Sequence, residues 1–223
     1  MSRFRRCLFG ISVVLLNGAP ASADPKFSID PSVNLKELSD SGRIAITTSH
    51  TGSVYQVDTS AVLAVEAGRF LDVTVNFENY VSMDMDHVSA AHCIGGSCQA
   101  RPLIFWMSLG ALGVHSKSYG VLQTYRSLDP AIGSMGASWH GISGKKEWGY
   151  DDSPLFKDME GSLYVMPMGE ARGDGTHLTY IRYVAGATVQ TILPDFLIEG
   201  FAKHEMGVNI RSFVQKLAKA SVR

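Results

Sequence analysis

Charge of one sign is what this 223-residue chain lacks most plainly: 20 Lys and Arg stand against 21 Asp and Glu, a formal net charge of -1. No block of like charge runs along it, which argues against nucleic acid as a partner. Cysteine is scarce, at three residues. That is too few for a small disulfide scaffold, and the spacing suits neither a Cys-x-x-Cys redox pair nor a zinc cluster. Long hydrophobic runs are missing too. The longest, Leu103 to Val114, is broken by Ser108, Gly110 and Gly113 and falls short of a membrane span. There is no Gly-x-Ser-x-Gly elbow, phosphate loop or dinucleotide fingerprint, and His204-Glu205 lacks the second histidine of a zinc protease. Hydrolase and kinase chemistry have no foothold here. At 45% hydrophobic and 18% charged, the chain has the balance of a folded globular protein rather than a disordered tail or a fibre.

What is present begins at the N-terminus. Arg3, Arg5 and Arg6 precede the apolar run Cys7 to Leu16, and Ala21-Ser22-Ala23 gives a small-x-small cleavage pattern before Asp24. This reads as a secretory signal peptide over residues 1–23. The apolar run, at about 1.5 Å per residue, covers only half of a hydrocarbon core of about 30 Å. The expected product is therefore periplasmic or secreted. Cys7 leaves with the leader. Cys93 and Cys98 flank Ile94-Gly95-Gly96-Ser97, a hairpin-loop composition, and facing residues there stand within disulfide reach. A Cys93–Cys98 bridge suits an oxidising compartment, with two packed thiols as the alternative.

Residues 24–42 read as a lead-in with a short helical pattern around Val33 to Leu38. Arg43 to Ser49 and Ser53 to Val65 are β-rich and separated by His50-Thr51-Gly52, a hairpin pattern. From Glu66 to Met83 the period changes: Phe70, Val73, Phe77 and Tyr80 recur at three to four, as one amphipathic helix or two short ones. Strand candidates follow at His87 to Ile94, Gln99 to Leu109, His115 to Arg126, Ala137 to Ser143, Gly161 to Met168 and Thr176 to Ala185. Strands in sequence without helices between them pair antiparallel. Pro194 then opens a helix over Asp195 to Lys219, with Gly207 and Asn209 as candidate kinks. The result is one α+β domain over residues 43–223.

Particular residues add to that order. Ala61-Val62-Leu63-Ala64-Val65-Glu66-Ala67 running into Phe77-Glu78-Asn79-Tyr80 resembles the first long strand and helix of the START and polyketide-cyclase-like superfamily. Ser138-Trp139, Gly161-Ser162-Leu163-Tyr164-Val165-Met166-Pro167 and Thr179-Tyr180-Ile181-Arg182-Tyr183 continue the likeness. Leu193-Pro194-Asp195-Phe196-Leu197 is similar to the family's entry into its terminal helix. Each motif is weak alone; their order and spacing, over residues 43–219, give the strength. Two departures are Met83-Asp84-Met85-Asp86-His87, where the family often has prolines, and Asn76-Phe77-Glu78 in place of an aspartate-aromatic start. The resemblance implies a helix-grip fold, a curved antiparallel sheet wrapped around a long C-terminal helix, and a cavity for a hydrophobic small molecule such as a lipid, sterol or quinone-type compound.

Nine Met, ten Phe, eight Tyr and three Trp suit either an aromatic core or such a cavity. The candidate ligand-binding residues are Trp106, Tyr125, Trp139, Trp148, Tyr164, Met166, Tyr180, Arg182, Phe196 and Phe201. Alternation places Leu178, Tyr180, Arg182 and Val184 on one strand face and His177, Thr179, Ile181 and Tyr183 on the other. Similarity to the family puts the first set inward, where Arg182 would meet an acid or a ligand head group. The alternative leaves Arg182 solvated. Asp84, Asp86, His87 and His92 form the densest polar cluster and read as solvated turn residues rather than a metal site. The stretch Tyr150 to Glu160 reads as a loop at the cavity mouth, with Leu155-Phe156 as a transient membrane contact. No cofactor and no catalytic residue is expected, and the chain reads as a monomer. The alternatives are a cyclase or aromatase-like enzyme on the same fold and an envelope interaction module with a filled cavity.

Overall fold

The computed structural model describes residues 27–83, 85, 88–94, 102–111, 114–148, 156–169, 177–189 and 195–222. The expected leader and its expected cleavage site lie outside them. The first element is helix α1, Leu35–Ser41. Asn34 caps it by accepting from the backbone N–H of Lys36 and Glu37, and Gly42 ends it in the left-handed region at φ 62°. Strands β1 (Ile44–Thr51) and β2 (Val54–Leu63) form the expected hairpin. The expected amphipathic stretch resolves into two helices, α2 (Ala67–Val75) and α3 (Asn79–Ser82), parted at Asn76. Glu66 supplies the N-cap of α2, its carboxylate accepting from Gly68 and Arg69.

Six strands follow: β3 (Val88–Ile94), β4 (Leu103–Ala111), β5 (Val114–Asp129), β6 (Ser134–Ile142), β7 (Phe156–Pro167) and β8 (Thr179–Val189). The terminal helix α4 spans Asp195–Val222 without interruption, so neither Gly207 nor Asn209 breaks it. The eight strands form one sheet in the order β1-β2-β8-β7-β6-β5-β4-β3, every neighbouring pair antiparallel. After the first hairpin, α2 and α3 carry the chain to the far edge. The remaining strands then meander back until β8 pairs with β2.

Two expectations are corrected. Strand β7 starts at Phe156, so residues 156–160 belong to the sheet rather than to a mouth loop; Tyr150 to Leu155 lie outside the described residues. Strand β4 begins at Leu103. Cys93 pairs in the ladder with Phe105, so the residue facing it across the hairpin is not Cys98. Cys93 is buried and disulfide-bonded, and Cys98 lies outside the described residues.

Both faces of the sheet are covered. On the inner face, Ala61, Leu122, Ala137, Leu163, Val165 and Ile181 pack with Phe70 and Leu71 of α2 and Val214 and Leu217 of α4. On the outer face, a smaller cluster of Val62, Tyr164 and Tyr180 is covered by Leu38 of α1, with Phe27, Val33 and Leu35 against it. Among the described residues, no helix is long and apolar enough to cross a membrane.

Candidate functional site

The strand registers align the inner face in rows that cross the sheet. One row runs Thr59, Tyr183, Leu163, Ala137, Thr124 from β2 to β5. The next runs Val57, Ala185, Gly161, Trp139, Leu122, Leu103 from β2 to β4. Neither row carries a charged side chain. Trp139 lies across Gly161: a Cβ on that glycine would overlap the indole and approach the Val184 carbonyl oxygen to 2.5 Å. The glycine is what lets the indole lie flat against the strand. Gly120 does the same for Phe105, whose Cζ would stand 2.6 Å from an added Cβ.

From Trp139 an arc of aromatic contacts leaves the sheet and returns to it. Trp139 meets Tyr183 at 5.2 Å between ring centroids, Tyr183 meets Phe213 of α4 at 5.4 Å, and Phe213 meets Tyr80 at 5.5 Å. Tyr80 meets Phe77 at 5.4 Å, and Phe77 meets Phe105 on β4 at 4.4 Å. These separations suit favourable edge and tilted ring pairs. Phe77, Tyr80 and Phe105 are buried. Trp139, Tyr183 and Phe213, with Met107 and Met135, pack against the same core yet stay partly exposed. Solvent therefore reaches the inner face on the Trp139 side of the arc.

The polar groups of this face are few. The Tyr80 hydroxyl donates to the Thr74 carbonyl oxygen, and burial pushes the Tyr80 phenol far above its ordinary range. Burial likewise raises Tyr183, so both phenols stay neutral. Thr59 Oγ1, Ser118 Oγ and Thr124 Oγ1 are buried without any hydrogen-bond partner among the described residues. By strand alternation all three lie on the inner face, Thr59 in line with Ala61, and Ser118 and Thr124 in line with Leu122.

The outer face is satisfied by contrast. Arg182 donates through Nε to Asp58 Oδ1 at 3.1 Å and through Nη2 to Asp58 Oδ2 at 2.7 Å. Its Nη1 reaches the Ser28 carbonyl oxygen and Oγ, each at 3.4 Å. Hydrogen bonding to Asp58 raises the guanidinium pKa further, so the charge is permanent. Tyr180 OH shares a 2.9 Å hydrogen bond with Ser60 Oγ and accepts from the Asp30 N–H at 3.0 Å. Burial raises its pKa as well.

This geometry corrects the expected orientation of β8. Leu178, Tyr180 and Arg182 face away from α4, and the set with Ile181 and Tyr183 faces it. Arg182 does meet an acid, but on the outer face. Tyr164 and Met166 share that face. So does Tyr125, whose ring meets Phe27 at 5.1 Å and whose hydroxyl is 3.4 Å from Ser138 Oγ. Trp148 stacks on Tyr119 at 5.8 Å, away from the Leu122 side of β5. The physical reason is that β8 is buried on both sides. Tyr180 and Ile181 are each fully buried, so hydrophobicity along the strand does not distinguish inside from outside.

Of the expected ligand-binding residues, Trp139 is thus the one whose described side chain lies on the inner face. The side chains of Trp106, Phe196 and Phe201 lie outside the described residues, although their backbones belong to β4 and α4. Tyr183, Phe213, Thr59, Ser118 and Thr124 are inner-face residues that sequence reasoning misses. A signal for them does exist in the chain: glycines at 120 and 161 opposite bulky aromatic residues mark where rings lie against the sheet. Of the polar cluster after α3, Asp84, Asp86 and His87 lie outside the described residues, and His92 Nδ1 is 3.6 Å from Glu78 Oε1. No metal-ligating cluster occurs among the described residues.

The sequence matches no family model and no curated protein. Solved structures do resemble it. TTHA0849 from Thermus thermophilus superposes with a TM-score of 0.54 at 11% identity, over 75% of this chain and 97% of that one. A START superfamily protein from Mycobacterium smegmatis gives a TM-score of 0.47 at 14% identity, over 74% of this chain and 92% of that one. At such identities the likeness concerns the fold alone. Eight antiparallel strands in this order, packed over one long C-terminal helix, give the chain an α+β helix-grip fold.

Proposed function

We propose that the protein is a periplasmic or secreted carrier that holds a hydrophobic small molecule, such as a lipid, sterol or quinone-type compound, between the inner face of the sheet and α4. The observation that carries this reading is the half-buried state of Trp139, Tyr183 and Phe213, together with Met107 and Met135, beside a buried apolar core. Large aromatic side chains left partly open beside an apolar core are what a ligand covers on binding. Met107 and Met135 beside them adapt to different apolar shapes at low cost. Covering about 300 Å² of apolar surface contributes about 7–8 kcal/mol at 25 cal/mol per Å², from which the cost of immobilising the ligand is subtracted. Arg3, Arg5 and Arg6, the apolar run after them and the Ala23-Asp24 junction support export.

Gentle purification from the periplasm or medium, organic extraction and mass spectrometry test the reading. A co-purifying apolar compound is expected, and it should quench or shift tryptophan emission when added back. Repeated absence of any bound or exchangeable apolar compound refutes it. N-terminal sequencing of the exported protein should begin at Asp24; retention of an intact leader in the cytoplasm refutes the placement.

A further inference from the structure

Arg182, Tyr180 and Ser60 are buried although they lie on the face of the sheet away from α4. Their cover is the strap of residues 27–30, with α1 behind it. The strap is seated residue by residue. The Phe27 ring meets Tyr125 edge-on at 5.1 Å, and a Cβ on Gly136 would stand 2.9 Å from Phe27 Cε1, so the glycine leaves the ring its place. The Ser28 carbonyl oxygen and Oγ accept from Arg182 Nη1, each at 3.4 Å. The Asp30 N–H donates to Tyr180 OH at 3.0 Å. The Asp30 carboxylate then turns the chain, accepting from the Ser32 N–H and hydroxyl at 2.9 and 2.8 Å, and Asn34 opens α1.

Lifting this strap costs little compared with unfolding the domain. Arg182 and Asp58 keep each other when water reaches them, and hydration removes the penalty of holding both charges buried. Helix α1 is seven residues long, with Leu38 as its buried side chain, too short to hold its shape once undocked. Residues 27–41 therefore form a local unit able to open while the sheet stays intact.

The position of the strap in the chain gives that opening a consequence. Between the Ala23-Asp24 junction and Phe27 stand Asp24, Pro25 and Lys26, which fully extended span about 10 Å. With the leader held in a membrane, seating Phe27 would bring the outer face of the sheet about that close to the bilayer and crowd the folded body against the bond to be cut. Proteolytic cleavage favours chain that is exposed and not docked. Retention of the leader and seating of the strap thus compete for the same few residues.

Resting on the export reading, we infer that residues 27–41 are a latch controlled by removal of the leader. In the membrane-held precursor the latch is undocked, the junction is accessible and the outer face is open. Once residues 1–23 are gone it seats on Tyr125, Gly136, Tyr180 and Arg182 and closes that face.

Tryptic cleavage at Lys36, on α1, reads the latch, because cleavage under native conditions follows the population of the open form. Ala23→Leu removes the small residue at the junction and keeps the precursor whole. This precursor in right-side-out membrane vesicles is compared with the mature protein mixed with the same vesicles. Lys36 should be cut about tenfold faster in the precursor, the worth of the hydrogen bonds that the strap forgoes. A Gly-Ser spacer of about 15 residues after Lys26 reaches about 20 Å and should return the precursor to the mature rate. Phe27→Ala in the mature protein should raise the rate several-fold. A parent chain that keeps residues 1–23 after cell fractionation defeats the export reading and this inference with it. Processing at Ala23-Asp24 with equal cleavage rates in precursor and mature protein, or with a spacer that changes nothing, overturns the inference alone. Rapid cleavage at Lys36 in the mature protein, unaltered by Phe27→Ala, overturns it as well, since the strap would then not be seated.

Discussion

Replacing Arg182 with Leu removes the cation from a pair whose carboxylate stays behind. The guanidinium meets Asp58 through two hydrogen bonds, of 2.7 and 3.1 Å, and the two side chains are only 7% and 15% exposed. Breaking a buried pair from one side costs about 3–5 kcal/mol, because the remaining charge loses its counter-ion. The 15% exposure of Asp58 gives its carboxylate some access to water, which places the loss near the lower end, about 3 kcal/mol. For a chain of this size that corresponds to a fall in melting temperature of about 6–12 °C. The contacts of Arg182 with Ser28 are lost as well, so the segment before α1 should become more open to limited proteolysis. Urea unfolding followed by circular dichroism measures the loss, and diphenylhexatriene retention measured in native buffer reports the inner face separately. The Asp58→Leu/Arg182→Leu double variant should recover most of the stability, since apolar replacement of a whole buried pair is close to neutral. A loss under about 1 kcal/mol with probe retention abolished would refute this account. That result would return Arg182 to a role at the ligand.

Gly161→Ala should cost about 1–3 kcal/mol through overpacking and shift tryptophan emission, because the new methyl group collides with the Trp139 indole and the Val184 carbonyl oxygen; unchanged emission and stability would count against the placement of Trp139. Tyr80, Tyr180 and Tyr183 all have pKa values raised by burial. Their unfolded counterparts release protons near pH 10 while the folded ones hold them, so stability is fully present below about pH 10 and falls as pH rises beyond it. Absorbance at 295 nm should show Tyr80 and Tyr183 ionising only as the protein unfolds, and smooth titration of all eight tyrosines near pH 10 in the folded state would contradict this. Glu66→Ala should cost about 0.5–2 kcal/mol through loss of the α2 cap; chemical denaturation with no change would show that the cap is replaced by water.

Much of the chain's organisation is legible without coordinates because it rests on local physics. Periodicity separates α2 from the strands around it. Gly42, and the turn at Thr51 to Ser53, mark where a helix ends and a hairpin reverses. Antiparallel pairing follows from strands that succeed one another without crossovers. The candidate site was less legible. Trp139 lies on the inner face, but Tyr125, Tyr164, Met166, Tyr180 and Arg182 lie on the opposite face, because alternation assigns residues to two faces without saying which is inside. That choice is readable where one face meets water, as along β1, and unreadable along β8, whose faces are covered by α4 on one side and by the segment leading into α1 on the other. A lead-in of mixed composition gives no sign that Phe27, Ser28 and Asp30 will close over the outer face.

The sequence by itself therefore determined the fold class and the order of elements, since these depend on residue type and spacing over a few turns. Only the tertiary structure decided that Arg182 is bound to Asp58 from 124 residues away and that Tyr183 faces α4. It also decided that the hydroxyls of Thr59, Ser118 and Thr124 are left without partners among the described residues. Those outcomes depend on which surfaces are brought together when β8 closes against β2, a contact between segments too distant along the chain for local pattern to specify.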